Sequence, residues 1–301
     1  MAMSRMCLLT ACVLCAAGSA FGLTPDELTQ KTGVAGGLCA FPRLVPGDSG
    51  LAIELAKRPA FVVHAASTDE KVLAVLRGQA EAAGLLGRSL YVEKGAAGSL
   101  PFADRLVDLL VASDVREAAL LPERRTEWLR VLAPGRGVAW LAEGRTLKAP
   151  LPPGSDAWSH RCHGADNAQV SDDRTFKPPF LTQWWALPRQ EGFWGTTVVS
   201  GNGRLFALRA SRATGNDVFL TARSLTSGLV LWQQTLRQDA GGKRLPHGGY
   251  LPGRSCAAVA GDTLCLADRD GVVRLDGETG ATRDRVAGPR PGGQVKWLAC
   301  V

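Results

Sequence analysis

The sequence predicts two unlike halves, an α/β doubly wound N-terminal domain and an all-β C-terminal region. Three observations carry that expectation. Strands and helices alternate from Leu23 to about Gly144, and then the Pro-rich stretch Pro150-Leu-Pro-Pro-Gly154 ends the helical periodicity. Beyond it a strand–turn–strand unit occurs twice, because Ser224-Leu-Thr-Ser-Gly228 is echoed by Asp276-Gly-Glu-Thr-Gly280, each after a short apolar run. Alternating strands and helices favour a parallel sheet covered on both faces. A repeated unit marks an array built from copies of one supersecondary element.

In the first half, Thr24-Pro25-Asp26-Glu27 reads as a helix start, with an N-cap Thr, Pro at the first position and acids in the first turn. Gly36–Phe41 reads as a short buried strand, and Ser49–Arg58 has helical spacing. Phe61–Ala65 is the second strand. Over Asp69–Ala83 the residues Val72, Val75, Leu76 and Ala80 share one helix face, and Gly84 ends it. Ser89–Glu93 is the third strand, and Leu106–Ala112, apolar apart from Asp108, the fourth. A helix over Glu123–Val131, a turn at Ala133–Gly137 and a fifth strand at Val138–Leu141 complete the domain.

In the second half, Thr196–Ser200, Arg204–Arg209, Val218–Arg223 and Leu229–Thr235 form one four-stranded meander. Ala257–Val259, Thr263–Ala267, Val272–Leu275 and about Thr282–Val286 form a second, and Val295–Cys300 would open a third. Four strands per unit is the size of a propeller blade, and closure needs at least about four blades. The expected organisation is a leader at 1–22, the α/β domain at 23–149, a linker at 150–157 and an incomplete pair of propeller blades at 158–301. Two blades bury only their shared face, so the first domain is expected to be the better packed.

Composition bounds function. The chain has 301 residues, is 46% hydrophobic and 21% charged, and is therefore globular rather than disordered. Its net charge is +7, but the arginines are scattered among acids and form no basic stripe with interleaved aromatics, so nucleic acid is not an expected partner. Arg5, the apolar run Met6–Ala17 and the small residues of Gly18-Ser-Ala20 or Ala20-Phe-Gly22 read as a secretory signal, too short to span a bilayer. Leu9-Thr-Ala-Cys12 also fits a lipoprotein box, and lipidation at Cys12 stays open. Export to the periplasm or envelope is the expectation, with no further membrane anchor.

After the leader five cysteines remain: Cys39, Cys162, Cys256, Cys265 and Cys300. With a two-residue turn at Gly261-Asp262, Cys265 faces Ala258. Cys256 is then its diagonal neighbour, about 7–8 Å away and too far for an unstrained disulfide. There is no C-x-x-C pair. Cys162-His163 and the nearby His160 lack an evident third ligand, so no metal site is expected. His64 lies in an apolar strand and reads as a satisfied core or strand-end histidine, and His247 as a loop residue.

Two motifs carry a resemblance. Leu100-Pro-Phe-Ala-Asp-Arg-Leu-Val-Asp-Leu-Leu110 and Arg130-Val-Leu-Ala-Pro-Gly-Arg-Gly137 resemble the fourth-strand signature and the following turn of class I S-adenosylmethionine-dependent methyltransferases. The resemblance covers Thr24 to Glu143 and implies a Rossmann-like fold with S-adenosylmethionine as cofactor. It places a Gly-rich turn after the first strand, where this chain has Phe41-Pro-Arg-Leu-Val-Pro46 and only then Gly47-Asp-Ser-Gly50. It places an acid after the second strand, where Ala65-Ala66 stands and Asp69 is a distant substitute, and an Asp after the third, where Ala96 stands. The candidate cofactor-binding residues are therefore Gly47, Asp48, Gly50 and Asp69, and no catalytic residue is evident. Asp114 is placed at the carboxyl end of the sheet, where ligands bind in such folds.

Ala222–Trp232 and the Asp276-Gly-Glu-Thr-Gly280 turn resemble the blade-closing pattern A-x-D-x-x-T-G-x-x-x-W of PQQ-like, quinoprotein-type propeller repeats. Trp158–Ser171 and Pro178–Trp184 resemble the strand that leads into such propellers. With no Cys-Cys pair and no closed propeller, PQQ is not an expected cofactor. The resulting expectation is an exported binding or scaffold protein, with a non-catalytic methyltransferase-like domain and blades that meet a protein or envelope partner. An active S-adenosylmethionine-dependent methyltransferase and a quinoprotein oxidoreductase fragment are the alternatives.

Overall fold

The computed structural model describes residues 23–95, 98–175, 183–185, 196–210, 217–237, 256–267, 271–288 and 298–300. The leader, Ala96, His247 and most of the expected third unit lie outside the described residues.

The N-terminal domain is built as its sequence pattern requires. Helix α1 (Pro25–Thr32) opens on a capping box: the Thr24 side chain accepts from the Glu27 N–H, and the Glu27 carboxylate accepts from the Thr24 N–H. Strand β1 (Gly37–Phe41), α2 (Ser49–Ala56), β2 (Phe61–Ser67), α3 (Glu70–Ala82), β3 (Leu90–Lys94), β4 (Leu109–Ala112), α4 (Pro122–Val131), β5 (Val138–Leu141) and β6 (Thr146–Lys148) follow. They form one sheet in the order β3-β2-β1-β4-β5-β6, with all pairs parallel except β5 with β6. This is a doubly wound, Rossmann-like order whose direction of winding reverses between β1 and β4. Alternate side chains feed two cores. Cys39, Phe41, Leu109 and Val111 pack with Leu55, Phe61 and Leu76 on one face. Ala40, Leu110 and Ala112 pack with Trp128, Val131 and Leu147 on the other.

Two expectations need correction. The fourth strand begins at Leu109 rather than Leu106, because Val107 pairs with Leu132 and the Asp108 carboxylate turns to the Leu38 N–H. Strand β6 carries no hydrophobic pattern of its own. It forms because Glu143 (φ 60°) and Gly144 (φ 74°) turn the chain back against β5.

The two sequence motifs interlock. Arg130 reaches from α4 to the 100–104 segment, donating to the Phe102 carbonyl at 3.0 Å and to Asp104 at 2.7 Å. It also pairs with Glu127 at 2.7 Å, and Glu127 in turn accepts the Leu100 N–H at 2.8 Å. The motif thus ties the loop before β4 to the helix before β5.

The second half contains two antiparallel sheets. One is β7 (Thr196–Gly201), β8 (Arg204–Ala210), β9 (Asp217–Ser224) and β10 (Val230–Arg237), in the order β10-β9-β8-β7. The other is β11 (Ala257–Ala260), β12 (Thr263–Ala267), β13 (Gly271–Asp276) and β14 (Thr282–Ala287), in sequence order. The Ala258–Cys265 register is the one expected from the Gly261-Asp262 turn. Phe206, Leu208, Leu220 and Ala222 of the first sheet share a core with Val259, Leu264, Leu266 and Leu275 of the second.

The repeated turns are structurally equivalent. Gly228 (φ 71°) and Gly280 (φ 75°) both need the left-handed region, and in each an added Cβ would overlap a Trp ring: Trp184 at Gly228 and Trp232 at Gly280. Each indole also donates to the carbonyl one residue after the turn begins, Trp184 to Leu225 at 2.9 Å and Trp232 to Gly277 at 3.0 Å. The expected lead-in strand at 158–171 is only a short linkage. Trp158 and Ser159 accept from the Ser200 and Val259 N–H groups and join β7 to β11.

Candidate functional site

The two ends of the parallel sheet have opposite characters. At the carboxyl end, β1 and β4 diverge at the reversal point, where ligands bind in open α/β sheets. The chain leaving β1 is bonded across to the chain leaving β4. Ser113 Oγ donates to Asp48 Oδ2 at 2.5 Å, and Arg43 pairs with Asp114 at 3.4 Å. Burial pushes the Asp48 carboxyl up, with Ser113's hydrogen bond opposing and the nearby Asp114 charge adding to it. The Leu44 N–H donates to the Ala66 carbonyl at 2.6 Å, which lays the same loop across the end of β2.

Beside this bridge lies an open cavity of about 1040 Å³, walled by Gly47, Asp48, Gly50, Ser113, Trp140 and Glu143 among others. Three of the four candidate residues from the sequence therefore meet there. Asp69 does not. Its carboxylate caps α3 by accepting the Lys71 N–H at 2.9 Å, a local role that Asp at a helix start commonly takes. Gly47 and Gly50 have open space where a Cβ would stand. A smaller cavity of about 150 Å³ lies over the ends of β2 and β3, beside His64, Glu93 and Phe102. His64 Nε2 meets Glu93 at 3.2 Å and its ring meets Phe102 edge-on, so it is a satisfied histidine, placed in the middle of β2 rather than at a strand end. This second cavity is below the ~300 Å³ usual for a small-molecule site.

The fit of S-adenosylmethionine can be tested on these residues. The ribose position at the end of β2 offers Ala65 and Ala66, no carboxylate stands in for it because Asp69 is a cap, and the β1 loop already occupies the backbone carbonyl of Ala66. The residues present do not fit the cofactor in the manner the resemblance implies.

The amino end of the sheet holds what the sequence did not disclose. Asp108, just before β4, and Arg136, just before β5, form an ion pair. Glu278, from the second repeated turn, accepts Arg136 through both oxygens at 3.0 and 2.6 Å, the Ala35 N–H at 2.6 Å and Arg204 Nε at 2.9 Å. Ser224, from the first repeated turn, donates to Asp108 at 3.0 Å. All five side chains are buried. Both repeated turns thus dock on the α/β domain through one ionic cluster. Asp108, the one charge in the otherwise apolar fourth strand of the sequence, joins it through Arg136 and Ser224. Only the unusual charges at a strand start and at a turn could have signalled it.

The histidines of the linker region have separate partners. His163 Nε2 meets Asp156 at 2.5 Å, while His160 Nε2 accepts the Cys300 N–H at 3.0 Å. Among the described residues no group of three or more His, Cys, Asp or Glu is arranged to hold a metal, and no helix is long and apolar enough to cross a membrane.

No protein-family model and no curated protein matches the chain. Similar solved structures include a putative S-adenosyl-L-methionine-dependent methyltransferase from Methanococcus maripaludis, at 21% identity and TM-score 0.33, covering 39% of this chain and 52% of that one. The [4+2]-cyclase SpnF is similar at 24% identity and TM-score 0.33, over 39% and 43% of the two chains. A SAM-dependent methyltransferase from Aquifex aeolicus is similar at 20% identity and TM-score 0.31, over 39% and 61%. The chain spans about half the length of these structures. The likeness is one of fold in the N-terminal part and carries no argument about activity.

Proposed function

We propose that this chain is an exported binding or scaffold protein whose methyltransferase-like domain is non-catalytic and whose two antiparallel sheets are PQQ-like propeller blades. The observation that supports it most is the Asp48–Ser113 bond across the reversal point, which ties together the two walls between which a cofactor would enter. The Rossmann-like sheet is retained while its carboxyl end lacks the carboxylate at β2. Fold alone carries no chemistry, and function has to be argued from the site. The blade reading is supported by the equivalent Trp-on-Gly contacts of the two turns. A rigid pair of blades offers a face for a protein or envelope partner. Isothermal titration of the full chain with S-adenosylmethionine tests the proposal. No measurable heat is expected, and micromolar binding overturns it.

One observation favours a second reading, an active S-adenosylmethionine-dependent methyltransferase. The cavity beside Gly47 and Gly50 is of ligand size, and the space before both glycines is open. If that reading holds, Gly47→Leu abolishes binding of the cofactor while leaving the melting temperature unchanged.

A further inference from the structure

The second antiparallel sheet has two faces. Leu264, Leu266 and Leu275 point to the core shared with the first sheet. Cys265, between them in sequence, points to the other face, where its cross-strand neighbours are Ala258 and Arg274. That face is crossed by residues 298–300. The Cys300 N–H donates to His160 Nε2 at 3.0 Å, and His160 is itself paired through its backbone to Ala258, the partner of Cys265. His160 therefore holds Cys300 over the strand pair that carries Cys265. The two cysteines are free in this structure, and both line one open cavity of about 340 Å³ with Val272, Arg274, Val286 and Leu298.

We propose that Cys265 and Cys300 form a disulfide that staples residues 298–300 onto the outer face of the second antiparallel sheet. The inference is independent of whether the N-terminal domain binds a cofactor. The remaining described cysteines are placed elsewhere. Cys39 is in the core of the α/β domain, and Cys256 belongs to the core between the sheets. Cys162 lies in the loop whose carbonyl accepts Gly164 and Gln169.

The reaction is an exchange with a small-molecule disulfide such as oxidised glutathione. The less buried Cys300 loses its proton, and its thiolate attacks the disulfide. One glutathione thiolate leaves, takes up a proton, and a mixed disulfide remains on Cys300. Cys265 then loses its proton and attacks the Cys300 sulfur, forming the protein disulfide and releasing the second glutathione, which is protonated. Two protein thiols are oxidised and one glutathione disulfide is reduced to two thiols. Burial, then the Cys300 thiol, pushes the Cys265 thiol up to about 12, so little of its thiolate is present and the second step, made intramolecular by the position of Cys300, is the slower of the two.

The test uses the full chain, reduced and then exchanged into oxidised glutathione in mildly alkaline, native buffer. The unreduced protein is cut after Lys and Arg and then before Asp, which separates Cys256 from Cys265 at Asp262. The expected product is a linked pair of peptides carrying Cys265 and Cys300, lighter than their sum by two hydrogens. The link should be lost in C265S and in C300S, persist in C256S, and form more slowly in H160A. A chain that keeps Cys265 open to native alkylation after oxidation overturns the proposal. So does one whose Cys300 links to Cys162 or Cys256, or stops at the glutathione adduct. The wild-type peptide map decides this even if a variant fails to fold.

Discussion

The amino and carboxyl ends of the parallel sheet differ in what their charged groups are for. At the carboxyl end, Asp48, Ser113, Arg43 and Asp114 form two separate links at a partly open crevice, and Arg43 is largely exposed. At the amino end, Asp108, Arg136, Glu278 and Arg204 are buried, balanced in charge and joined in one cluster that spans both halves of the chain. The difference teaches where this protein invests its polar groups. The end that holds ligands in such folds carries weak links, and the end that is usually bland carries the strongest ones.

The largest expected effect breaks that cluster. Glu278→Ala removes an acceptor of four hydrogen bonds and leaves Arg136 and Arg204 buried without it. Breaking a buried ionic network in this way costs about 3–5 kcal/mol. Urea unfolding of the full chain measures it, and a loss below about 1 kcal/mol would show that the two halves do not depend on this contact.

Next comes the turn that delivers Glu278. Gly280→Ala places a side chain at φ 75° and against the Trp232 ring. A cost of about 1–3 kcal/mol is expected from the same unfolding curve. An unchanged midpoint would mean that the repeated turn is not held by its tryptophan.

At the opposite end the expected effect is smaller. Ser113→Ala removes one hydrogen bond from a carboxylate that can meet solvent in the adjoining cavity, and about 1 kcal/mol is expected. A loss as large as that of Glu278→Ala would erase the contrast between the two ends. Smallest of all is Gly47→Ala, which meets open space and should stay within about 0.5 kcal/mol in thermal unfolding.

Acid sharpens the comparison from a third place, the knot that joins the two sequence motifs. Arg130's hydrogen bonds hold the Glu127 carboxyl down at about 2, with the Leu100 N–H assisting and burial opposing. A carboxyl depressed in the folded state stabilises it above the unfolded value, about 4.3, and that contribution is lost as pH falls toward about 2. Stability measured between these limits should fall with acid, and Glu127→Gln should flatten the slope. An unaltered slope would place the acid sensitivity elsewhere.

Much of the fold is legible because it rests on short-range rules. Thr24, Pro25 and Glu27 announce α1 through a capping box that closes within four residues. The Gly261-Asp262 turn sets the Ala258–Cys265 register by counting alone. Gly47, Asp48 and Gly50 could be read as neighbours of one site because the chain keeps them adjacent. Asp69 reads from its residue type as a distant ribose ligand; in the structure one of its oxygens accepts a backbone N–H two residues away, and it does not join the other three at the cavity. Strand β6 had no apolar pattern to show, and the true start of β4 depended on Leu38, far away in sequence.

By itself the sequence determined the two halves, the order of their elements and the repeat of the turns, since propensity, capping and periodicity act over a few residues. Only the tertiary structure decided that Ser224 and Glu278 are not merely turn residues. They are the points at which the repeat locks onto Asp108 and Arg136, more than a hundred positions away. A buried charge is stable only beside its partner, and which partner it finds depends on how the chain is brought together, which no local rule encodes.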